Sequence, residues 1–559
     1  MNDESTGTLY EAVARRAQEW PQALALAHGE GGVSYRTLHR LASRAAAGLR
    51  AHGVAAGDVI AIQLPNSLPF VAMLLAAGAL GATVQMLHMP YRRAELAALL
   101  RHGGAAAYVG LRRFKEESPL ATVAALGLVR LLVAADHGND GSNEGDTDGG
   151  GGGDYARGPG AHGVVDWASL LQAGEAASSQ GNECAGDFDK VDCASHYVLL
   201  YTSGTTADPK GVPVSHRQFI GNAQAALQPL QIDAADVLLA AAPFTHLYGL
   251  FVLEMGLLAG ACVSLLPAFT PAGLVATVRR DKVSAIFAGP AHFRPLLNAP
   301  GGAGSAFATL RLICLSGTAV APDLAREVEG LMTHGRVIQL WGMSELQAGS
   351  YGRPDDPVEI RHATAGRPSP GTELRICGDD GQPVPPGTPG QLQVRGPSLF
   401  TGYRNNPPAN AAAFSDGWFN TGDTGYLTAE GALVLTGRTR EIINRGGIKF
   451  NPLDVEAVLD RMPGIVRSAV VPMPDPILGE RACVFIQMER PGAAPGAAAI
   501  TLEDVTAALE RAGIARFKWP ERLELVDEMP LTPTQKVMRG RLVARLAQAQ
   551  SGETGKQER

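Results

Sequence analysis

The sequence predicts an α/β fold organised in at least two domains, and three observations support this prediction. At 559 residues the chain is too long for a single hydrophobic core. Short apolar strands alternate with helical segments up to about residue 166, which is typical of largely parallel sheets. After residue 441 the pattern changes to a few strands and helices, which predicts a small α+β domain.

The first elements follow from apolar periodicity and from capping residues. A helix is predicted over residues 9–20 and a strand over residues 23–28. Ser34 is a good N-cap for a second helix, because its hydroxyl can accept a hydrogen bond from the first turn. A strand over residues 59–64 and a helix over residues 70–80 come next.

The later elements are predicted in the same way. They comprise helices at 216–230, 453–459 and 502–512, strands at 197–200, 237–243, 469–472 and 482–488, and a hairpin within 418–435. Residues 285–290 and 312–317 are predicted to be a strand followed by a loop, and in 337–345 a strand precedes Glu345. Several of these strands end in polar or glycine-rich turns. In α/β sheets, ligands bind at the carboxyl ends of the strands. The fold expected for the whole chain is α/β, with a large N-terminal domain of layered α/β subdomains, a small β-barrel-like element and a small α+β C-terminal domain.

Composition and charge exclude several classes of partner. The chain is 45% hydrophobic and 18% charged, with a formal net charge of −7. Without a basic stripe or polybasic tail, no nucleic-acid or anionic-membrane partner is expected. The apolar stretches 70–89 and 247–267 are interrupted by glycine, Gln85 or Glu254, so each is interpreted as a buried helix leading into a strand. The acidic N-terminus lacks a signal-peptide pattern, which predicts a cytoplasmic protein.

Two further features concern cysteines and a low-complexity segment. The six cysteines lie far apart without a C-x-x-C or Cys/His spacing, so they are predicted to be reduced thiols. Residues 137–162 are rich in glycine, aspartate and asparagine and include five consecutive glycines. Such a segment cannot bury enough apolar area to offset its ordering entropy, and it is predicted to be a disordered surface loop.

The most informative stretch is Tyr-Thr-Ser-Gly-Thr-Thr-Ala-Asp-Pro-Lys-Gly-Val, which follows the strand at 197–200. Its hydroxyls, its glycine and its lysine are the groups that bind a polyanion, which makes this a candidate phosphate loop. The candidate ligands are Thr202, Ser203, Gly204, Thr205, Thr206 and Lys210. The order differs from that of the P-loop, which requires Gly-Lys followed by Ser or Thr. The residues alone also allow a solvated turn that is rich in hydroxyls.

This stretch closely resembles the phosphate-binding signature of the adenylate-forming superfamily, which includes acyl-CoA synthetases, peptide-synthetase adenylation domains and luciferases. The resemblance implies ATP and Mg²⁺ as cofactors. It also implies further motifs at set places downstream, and the sequence contains them in the expected order over nearly the whole chain.

The segment 243–249, Pro-Phe-Thr-His-Leu-Tyr-Gly, is similar to a Pro-x-x-His-x-x-Gly stretch of acyl- and aryl-CoA synthetases. The resemblance places His246, Tyr248 and Phe251 beside the carboxylate and thioester site. From the residues alone, an aromatic helix start packed in the core is the alternative. Ser316, Gly317 and Thr318 look like the superfamily loop that borders the adenine and acyl pockets.

The segment 341–345, Trp-Gly-Met-Ser-Glu, is similar to the family motif Tyr-Gly-x-Thr-Glu. The resemblance assigns Trp341, Gly342, Met343 and Ser344 to the nucleotide. It assigns Glu345, with Thr205, to Mg²⁺, which prefers one or two carboxylates plus phosphate oxygens. Without the flanking motif, a glutamate after a strand is more often a helix N-terminal charge.

The remaining motifs follow residue 418. Asp423 looks like the ribose-binding aspartate of the family, and Arg438 like its second ribose contact. The resemblance places a hinge at 438–440, with Arg440 where most members have Asp or Lys. It therefore divides the chain into an adenylation domain over 1–437 and a mobile C-terminal domain over 441–559. The glycines Gly446 and Gly447 would line the path of the acceptor thiol.

The last motif, Pro-Leu-Thr-Pro-Thr-Gln-Lys at 530–536, resembles Pro-x-Thr-x-x-Gly-Lys with Gln535 in place of glycine. The resemblance makes Lys536 the adenylation lysine, whereas a solvated lysine is the default for such a position.

The implied activity is ATP-dependent activation of a carboxylic acid followed by transfer to coenzyme A, in a free-standing acid:CoA ligase. The substrate is expected to be an aromatic, alicyclic or medium-chain monocarboxylate, since a second buried charge would need pairing. The first alternative is a stand-alone enzyme that loads a carrier protein, and the second is a catalytically weak nucleotide-binding protein. Both a monomer and a homodimer remain open.

Overall fold

The structure is a computed structural model. It describes residues 7–29, 31–136, 163–179, 188–201, 209–297, 304–318, 320–438, 441–445, 448–475, 478–489, 500–532 and 536–554. Contacts divide the chain into two compact units, Met1–Glu373 with Arg395–Gly417, and Leu374–Val394 with Trp418–Arg559. The predicted domain boundary at 438–440 stays a prediction, and residues 439 and 440 lie outside the described residues.

The elements of the first third are, in chain order, α1 (Leu9–Glu19), β1 (Leu24–His28), β2 (Gly31–Ser34), α2 (Tyr35–Ala51), β3 (Val59–Gln63), α3 (Leu68–Leu80), β4 (Thr83–Met86), α4 (Arg93–Gly103), β5 (Ala105–Gly110), α5 (Pro119–Leu126), β6 (Leu131–Ala134), β7 (Val164–Asp166), α6 (Trp167–Ser179), β8 (His196–Tyr201), β9 (Gly211–Ser215) and α7 (His216–Leu227).

The middle of the chain contains β10 (Val237–Ala240), α8 (Leu247–Ala259), β11 (Cys262–Ser264), α9 (Pro271–Asp281), β12 (Ala285–Ala288), a 3-10 helix (Pro290–His292), α10 (Arg294–Leu297), a second 3-10 helix (Gly304–Phe307), β13 (Leu312–Leu315), α11 (Pro322–Glu329), β14 (Arg336–Met343), β15 (Gln347–Tyr351), α12 (Val358–Ala363) and β16 (Arg367–Pro368).

The last part contains β17 (Glu373–Cys377), β18 (Gly390–Arg395), α13 (Pro407–Ala413), β19 (Phe414–Ser415), β20 (Trp418–Leu427), β21 (Leu433–Arg438), β22 (Ile443–Arg445), β23 (Ile448–Phe450), α14 (Leu453–Leu459), β24 (Ile465–Asp475), β25 (Gly479–Met488), α15 (Leu502–Arg511), a 3-10 helix (Arg516–Lys518), β26 (Arg522–Val526) and α16 (Arg539–Thr554).

The first unit contains two large sheets. Over the described residues, one sheet has nine strands in the order β16-β15-β14-β13-β12-β10-β11-β1-β2. Its central strands are parallel, and its edge pairs β1/β2, β14/β15 and β15/β16 are antiparallel. The second sheet has seven described strands in the order β7-β6-β5-β3-β4-β8-β9, and only its edge pair β8/β9 is antiparallel among these strands.

Two helices of this unit are buried along nearly their whole length, because their sequences are apolar on every side. Helix α3 starts at the N-cap Ser67, whose hydroxyl accepts from the Phe70 amide, and ends at Gly81 in the left-handed conformation. Helix α8 starts at the N-cap His246 and ends at Gly260. Burial of both faces is expected of a helix that is hydrophobic all round.

The second unit contains two five-stranded sheets of described strands. One is curled into a half-barrel, with the order β17-β18-β20-β19 and with β21 paired to β20. The other has the order β23-β22-β25-β24 with β26 paired to β25, and its core is formed with α14, α15 and α16. The predicted α/β fold with a barrel-like element and a small α+β part is confirmed.

Most predicted elements are present, with shifts at their ends. The helix predicted over 216–230 ends at Leu227, since the chain turns there and Gln231 adopts a positive φ of 56°. The strand predicted over 237–243 ends at Ala240, three residues before Pro243, which has no amide hydrogen to donate. The strands predicted at 469–472 and 482–488 are parts of the longer pair β24 and β25.

The structure also bears on the predictions made for the apolar stretches and the cysteines. Over the described part of the chain, no helix is long and apolar enough to cross a membrane. The described cysteines carry free thiols; Cys314, Cys377 and Cys483 are buried, whereas Cys193 and Cys262 are partly exposed. The predicted disordered loop at 137–162 lies outside the described residues.

Candidate active site

The two ends of the candidate phosphate loop are held together by strand pairing. Strands β8 and β9 are antiparallel, and Tyr201 lies opposite Gly211 in their register. The two ends of the loop therefore lie side by side in this strand pair. Of its predicted ligands, Lys210 is described and half-buried. The others, Thr202, Ser203, Gly204, Thr205 and Thr206, lie outside the described residues.

Lys210 is connected to Glu345 through one aromatic side chain. The Lys210 ammonium lies 5.1 Å from the centroid of the Tyr403 ring, and the Tyr403 hydroxyl donates to Oε1 of Glu345 over 2.8 Å. Glu345 and Tyr403 are both buried. The predicted phosphate lysine and the predicted magnesium carboxylate thus contact the same residue, which the sequence analysis did not single out.

The predicted pocket residues follow the carboxyl ends of neighbouring parallel strands. Strands β10, β12, β13 and β14 are adjacent and parallel, so their following loops leave the same edge of the sheet. These loops and strand ends carry His246, Ser316, Gly317, Thr318, Trp341, Gly342, Met343 and Ser344. The edge is therefore a common rim for the residues assigned to the acyl group and the nucleotide.

His246 is the N-cap of helix α8. Its Nδ1 accepts a hydrogen bond from the Tyr248 amide over 3.2 Å. A ring nitrogen that accepts carries no proton, so this assignment places the ring proton on Nε2.

Tyr248 and Phe251 are buried at the start of α8. The Tyr248 hydroxyl donates to the Cys314 carbonyl in β13 over 2.8 Å. Phe251 is 2% exposed and packs within the core. Both positions agree with an aromatic helix start, and their contact with an acyl group stays a prediction.

Ser316 is buried directly after β13, and Gly317 and Thr318 are exposed beyond it. Gly317 has a φ of +98°, a conformation that other residues rarely adopt. In β14, Trp341 is 5% exposed, and a Cβ on Gly342 would lie 2.2 Å from the Gln347 carbonyl oxygen. The backbone at this part of the rim consequently requires glycine at two places.

Two polar side chains from the seven-stranded sheet reach the loop that leads to His246. Asn66, which follows β3, donates to the Ala242 carbonyl over 3.1 Å and accepts from the Phe244 amide over 2.6 Å. His88, which follows β4, hydrogen-bonds through Nδ1 to the Thr245 hydroxyl over 2.8 Å.

The His88 ring also stacks near that of His246, with centroids 6.4 Å apart. Burial lowers the pKa of His88 to about 4, so this histidine is neutral at pH 7. The pocket loop is thus held by neutral polar groups of the other sheet.

In the second unit, the two predicted ribose residues form an ion pair. Asp423 in β20 lies opposite Arg438 in β21, and Nε of Arg438 donates to Oδ1 of Asp423 over 2.9 Å. Asp423 is largely buried, and its amide donates to the Thr421 hydroxyl. The Arg438 side chain is about half exposed. The hairpin register therefore orients the carboxylate that would accept from ribose hydroxyls.

Lys536 lies near this pair. Burial lowers its pKa from the usual value, the Arg438 charge lowers it further, and Asp423 and Glu441 oppose the shift. Its backbone amide donates to the Thr532 hydroxyl over 3.0 Å, and its carbonyl accepts from the Thr532 amide over 2.7 Å. Three predicted site residues, Asp423, Arg438 and Lys536, are thus brought together.

Helix α16 begins three residues after Lys536, at Arg539, whose side chain is held by two glutamates. Arg539 donates to both oxygens of Glu456 over 2.5 and 2.8 Å and lies 3.3 Å from Glu441. Glu456 also accepts from the Val470 amide over 2.6 Å. This network fixes the segment that follows Lys536 to the core of the α+β part.

The described residues fit a magnesium ion only together with phosphate oxygens. No group of three or more His, Cys, Asp or Glu side chains that could bind a metal occurs among them. Glu345 supplies one buried carboxylate beside Lys210 and Tyr403. This donor set agrees with Mg²⁺, which is commonly bound by one or two carboxylates plus substrate phosphates.

The sequence analysis missed Tyr403, Asn66 and His88. Each occurs in a turn after an apolar stretch, and each makes its contact far along the chain, for example 58 residues between Tyr403 and Glu345. For Asn66 and His88, the signal was a polar side chain just after a strand, whereas Tyr403 lies eight residues after β18 and its context gave no such signal. The predicted residues Arg440, Gly446 and Gly447 lie outside the described residues.

Comparisons with known proteins agree with these motifs. The chain matches the AMP-binding enzyme family over residues 13–404 and the AMP-binding enzyme C-terminal domain over residues 454–536. It is 33% identical over 545 residues to a salicylyl-CoA synthase / salicylate adenylyltransferase of Streptomyces sp, covering 94% of this chain and 91% of that protein. It is 32% identical over 553 residues to a salicyl-AMP ligase / salicyl-S-ArCP synthetase of Mycobacterium tuberculosis, covering 96% and 91%.

A solved structure shares the fold. The anthranilate CoA ligase AuaEII in complex with anthranoyl-AMP aligns with a TM-score of 0.81 at 21% identity, over 98% of each chain. Together with the matches over most of the sequence, these findings confirm the resemblance seen in the motifs. The chain belongs to the AMP-binding enzyme family and is an adenylate-forming ligase.

Proposed function

We propose that this protein activates an aromatic monocarboxylic acid with ATP and transfers the acyl group to coenzyme A, releasing AMP and pyrophosphate. The observation that carries this proposal is the convergence of Asp423, Arg438 and Lys536 in one cluster. A carboxylate paired with an arginine suits a ribose, and a lysine beside them suits the α-phosphate and the substrate carboxylate.

In the first half-reaction, the substrate carboxylate attacks the α-phosphorus of ATP in line, and pyrophosphate leaves. Lys536 stabilises the charge that develops on the phosphoryl oxygens, together with Thr205 and Lys210. Glu345 and Thr205 would hold Mg²⁺, which would supply further neutralisation of the phosphate charge. The remaining phosphate contacts are assigned to Thr202, Ser203, Gly204 and Thr206.

The nucleotide and the acid occupy the rim formed by β10, β12, β13 and β14. Gly317, Thr318, Trp341, Gly342, Met343 and Ser344 are proposed to contact the nucleotide, with Asp423 and Arg438 on the ribose. His246, Tyr248, Phe251, Ser316, Gly317 and Gly342 are proposed to surround the acyl group. The Nε2 hydrogen of His246 suits a carboxylate or thioester oxygen.

In the second half-reaction, residues 441–559 are proposed to rotate about Arg440, which withdraws Lys536 and brings Gly446 and Gly447 to the acyl-adenylate. The thiol of coenzyme A then attacks the carbonyl carbon and displaces AMP. Glycines suit this path because they let a thin pantetheine chain pass close to the backbone.

The aromatic class is supported by the chemistry of the rim and by the names of the relatives. Tyr248, Phe251 and Trp341 are aromatic residues buried at or near it. Two relatives that are 33% and 32% identical to this chain carry a salicyl or salicylate group in their names. Alicyclic and medium-chain acids are compatible with the same rim and belong in the test.

The test is pyrophosphate release from ATP across aryl, alicyclic and medium-chain acids, each with and without coenzyme A. Multiple turnovers that require coenzyme A, with the acyl-CoA identified by mass spectrometry, are expected for an aryl acid. Release that stops near one equivalent per enzyme in the presence of coenzyme A would overturn the assignment of the acceptor. Absence of ATP-dependent activation with every acid would overturn the proposed function as a whole.

The second candidate function is loading of the acyl group onto a separate carrier protein. It is favoured by the similarity to a salicyl-S-ArCP synthetase over 96% of this chain. It shares the first half-reaction and differs only in the thiol acceptor. Adding a phosphopantetheinylated aryl carrier protein in place of coenzyme A distinguishes the two, because only the true acceptor restores turnover.

A further inference from the structure

Tyr403 occupies a place between two groups of the proposed adenylation site, although its sequence context gave no indication of this. Its hydroxyl donates to Oε1 of Glu345 over 2.8 Å, and its ring faces the Lys210 ammonium at 5.1 Å. The side chain is 8% exposed. A single buried residue therefore contacts both the carboxylate assigned to magnesium and the ammonium assigned to phosphate.

The backbone around Tyr403 is anchored to the same two motifs. The Phe400 amide donates to the Glu345 carbonyl over 2.8 Å, and the Arg404 amide donates to the Gly211 carbonyl over 2.8 Å. Gly211 directly follows Lys210 in the chain. The segment 400–404 is thus bound at one end to the strand end that carries Glu345 and at the other to the end of the phosphate loop.

A third set of contacts fixes Tyr403 itself. Its amide donates to Oδ1 of Asn410 over 2.6 Å, and Nδ2 of Asn410 donates back to its carbonyl over 3.1 Å. The Phe400 ring packs edge-on against the Tyr403 ring, with centroids 4.8 Å apart. These contacts hold both the backbone and the ring of Tyr403 in place. The position of its hydroxyl is therefore fixed, and the Glu345 carboxylate is oriented by its hydrogen bond to it.

We propose that Tyr403 is a positioning residue for magnesium-dependent nucleotide binding, and this inference rests on the proposed function. Its hydroxyl fixes the rotation of the Glu345 carboxylate, so that the carboxylate is preorganised to receive the metal that accompanies the triphosphate. Its ring holds the Lys210 ammonium by a cation–π contact, which restricts the lysine without neutralising it. The Lys210 ammonium and the Glu345 carboxylate are thereby held in fixed positions relative to each other.

Binding of ATP, measured without any acid, tests this inference independently of turnover. Isothermal titration calorimetry of ATP over a series of Mg²⁺ concentrations, and in EDTA, gives the metal dependence for wild type, Tyr403→Phe, Glu345→Gln and the double variant. Tyr403→Phe removes only the hydroxyl. We expect it to raise the half-saturating Mg²⁺ concentration about tenfold, because hydrogen bonds to charged groups contribute about that much or more. Affinity in EDTA should be unchanged.

The double variant decides whether the hydroxyl acts through Glu345. If it does, Tyr403→Phe has no further effect on metal dependence once Glu345→Gln is present. Tyr403→Leu also removes the ring, so it should weaken ATP binding in EDTA as well, because Lys210 is no longer held. The matched control is Tyr35→Phe, which removes a buried hydroxyl bonded to the Ala261 carbonyl at 2.7 Å and should leave metal dependence unchanged.

The binding measurements distinguish a failure of this inference from a failure of the proposed function. Effects of Tyr403→Phe and Glu345→Gln that add in the double variant, or a Tyr403→Phe protein with wild-type metal dependence, would overturn the inference while leaving the proposed function intact. A wild-type protein that fails to bind ATP would overturn the proposed function first. Thermal unfolding of every variant establishes that the comparison is made between folded proteins.

Discussion

Arg438 donates its Nε hydrogen to Oδ1 of Asp423 directly across the ladder between β20 and β21, over 2.9 Å. The carboxylate is largely buried, while the guanidinium remains half exposed. A donor that already occupies one carboxylate oxygen fixes the plane of the carboxylate. The geometry of the pair therefore suits the ribose contact proposed above.

Replacing the carboxylate should weaken nucleotide binding. Asp423→Asn keeps the shape but turns an acceptor-only group into one that also donates, so we expect the Kd for ATP to rise about 10- to 100-fold, equivalent to roughly 1.5–3 kcal/mol. Titration calorimetry with ATP measures this. Glu373→Gln is the control, since its pair with Arg395 lies on the surface. An unchanged Kd in Asp423→Asn would contradict the ribose assignment.

Removal of the terminal lysine should separate the two half-reactions. Lys536→Ala is expected to slow acyl-adenylate formation about 10²–10³-fold, since one preorganised charge-stabilising contact typically has this effect. Thiol transfer from a supplied acyl-adenylate should change far less. Single-turnover measurements of pyrophosphate release and of acyl transfer give the two rates. Equal losses in both steps would show that the lysine does not act specifically in adenylation.

The Asn66 side chain should affect the acid more than the nucleotide. Asn66→Ala removes two buried hydrogen bonds to the loop that leads to His246, so we expect an approximately tenfold higher KM for the acid. The free energy of unfolding should fall by about 2–4 kcal/mol, because a backbone donor and acceptor lose their partner. Steady-state kinetics and urea unfolding measure the two effects.

Asn222 offers a matched control for this change. It is 1% exposed and also makes two hydrogen bonds to one backbone segment, at Ala348. Asn222→Ala should therefore lose similar stability while leaving the KM for the acid near that of the wild type. A parallel rise of KM in both variants would mean that the effect of Asn66 is only structural.

The buried carboxyl of Glu254 should reduce stability. Within the described part of the chain neither of its oxygens has a hydrogen-bond partner, and burial raises its pKa well above the usual value. A raised folded-state pKa means that the unfolded chain loses its proton first, so the stability cost grows as pH rises above about 4.5. Glu254→Met is expected to raise the free energy of unfolding by about 1–3 kcal/mol at pH 8 and by less at pH 5.

Leu253→Met on the same helix introduces the same side chain without removing a carboxyl and should show no pH-dependent gain. Urea unfolding of both variants at the two pH values is the measurement. A stability gain of Glu254→Met that is equal at both pH values would contradict titration of this group.

His216 should make the protein sensitive to acid. Its ring is fully buried against Tyr197, with centroids 4.2 Å apart, and burial lowers its pKa to about 4. The unfolded chain binds the proton first as pH falls, so about 3 kcal/mol of stability should be lost between pH 6.5 and 4. His216→Phe keeps an aromatic ring against Tyr197 and should remove this loss, whereas the exposed His334→Asn should not. The measurement is the urea unfolding midpoint as a function of pH for the wild type and both variants. If His216→Phe lost as much stability between pH 6.5 and 4 as the wild type, another group would be responsible.

Local sequence patterns predicted most of the fold, because strands, caps and buried helices depend on near neighbours. Ser34 caps its helix as predicted, and the all-apolar stretches became the buried helices α3 and α8. The end of α7 was misjudged, since apolar spacing continues to Leu230 while the backbone turns at Leu227. Such a turn depends on packing that periodicity does not describe.

Candidate site residues in contiguous motifs could be named from the sequence, whereas Asn66, His88 and Tyr403, which contact them from elsewhere in the chain, could not. Asp423 and Arg438 lie together because a hairpin register pairs them. Asn66 meets Ala242 across 176 residues, and Tyr403 meets Glu345 across 58. Contacts of that range follow from how two sheets come together, which no local pattern encodes.

The parallel arrangement of β10, β12, β13 and β14 has a practical meaning for engineering. Backbone hydrogen bonds hold these strands, while the loops beyond their carboxyl ends carry the variable chemistry. Within 244–251 and 316–318, Gly249 and Gly317 have to be kept, because a Cβ on Gly249 would lie 2.3 Å from the Pro243 carbonyl oxygen and Gly317 has a φ of +98°. Lys210 and Glu345 lie outside these two stretches. A combinatorial library at the proposed acyl-pocket positions Tyr248 and Phe251 would therefore explore new acids while Lys210, Glu345 and the residues assigned to the nucleotide stay as they are.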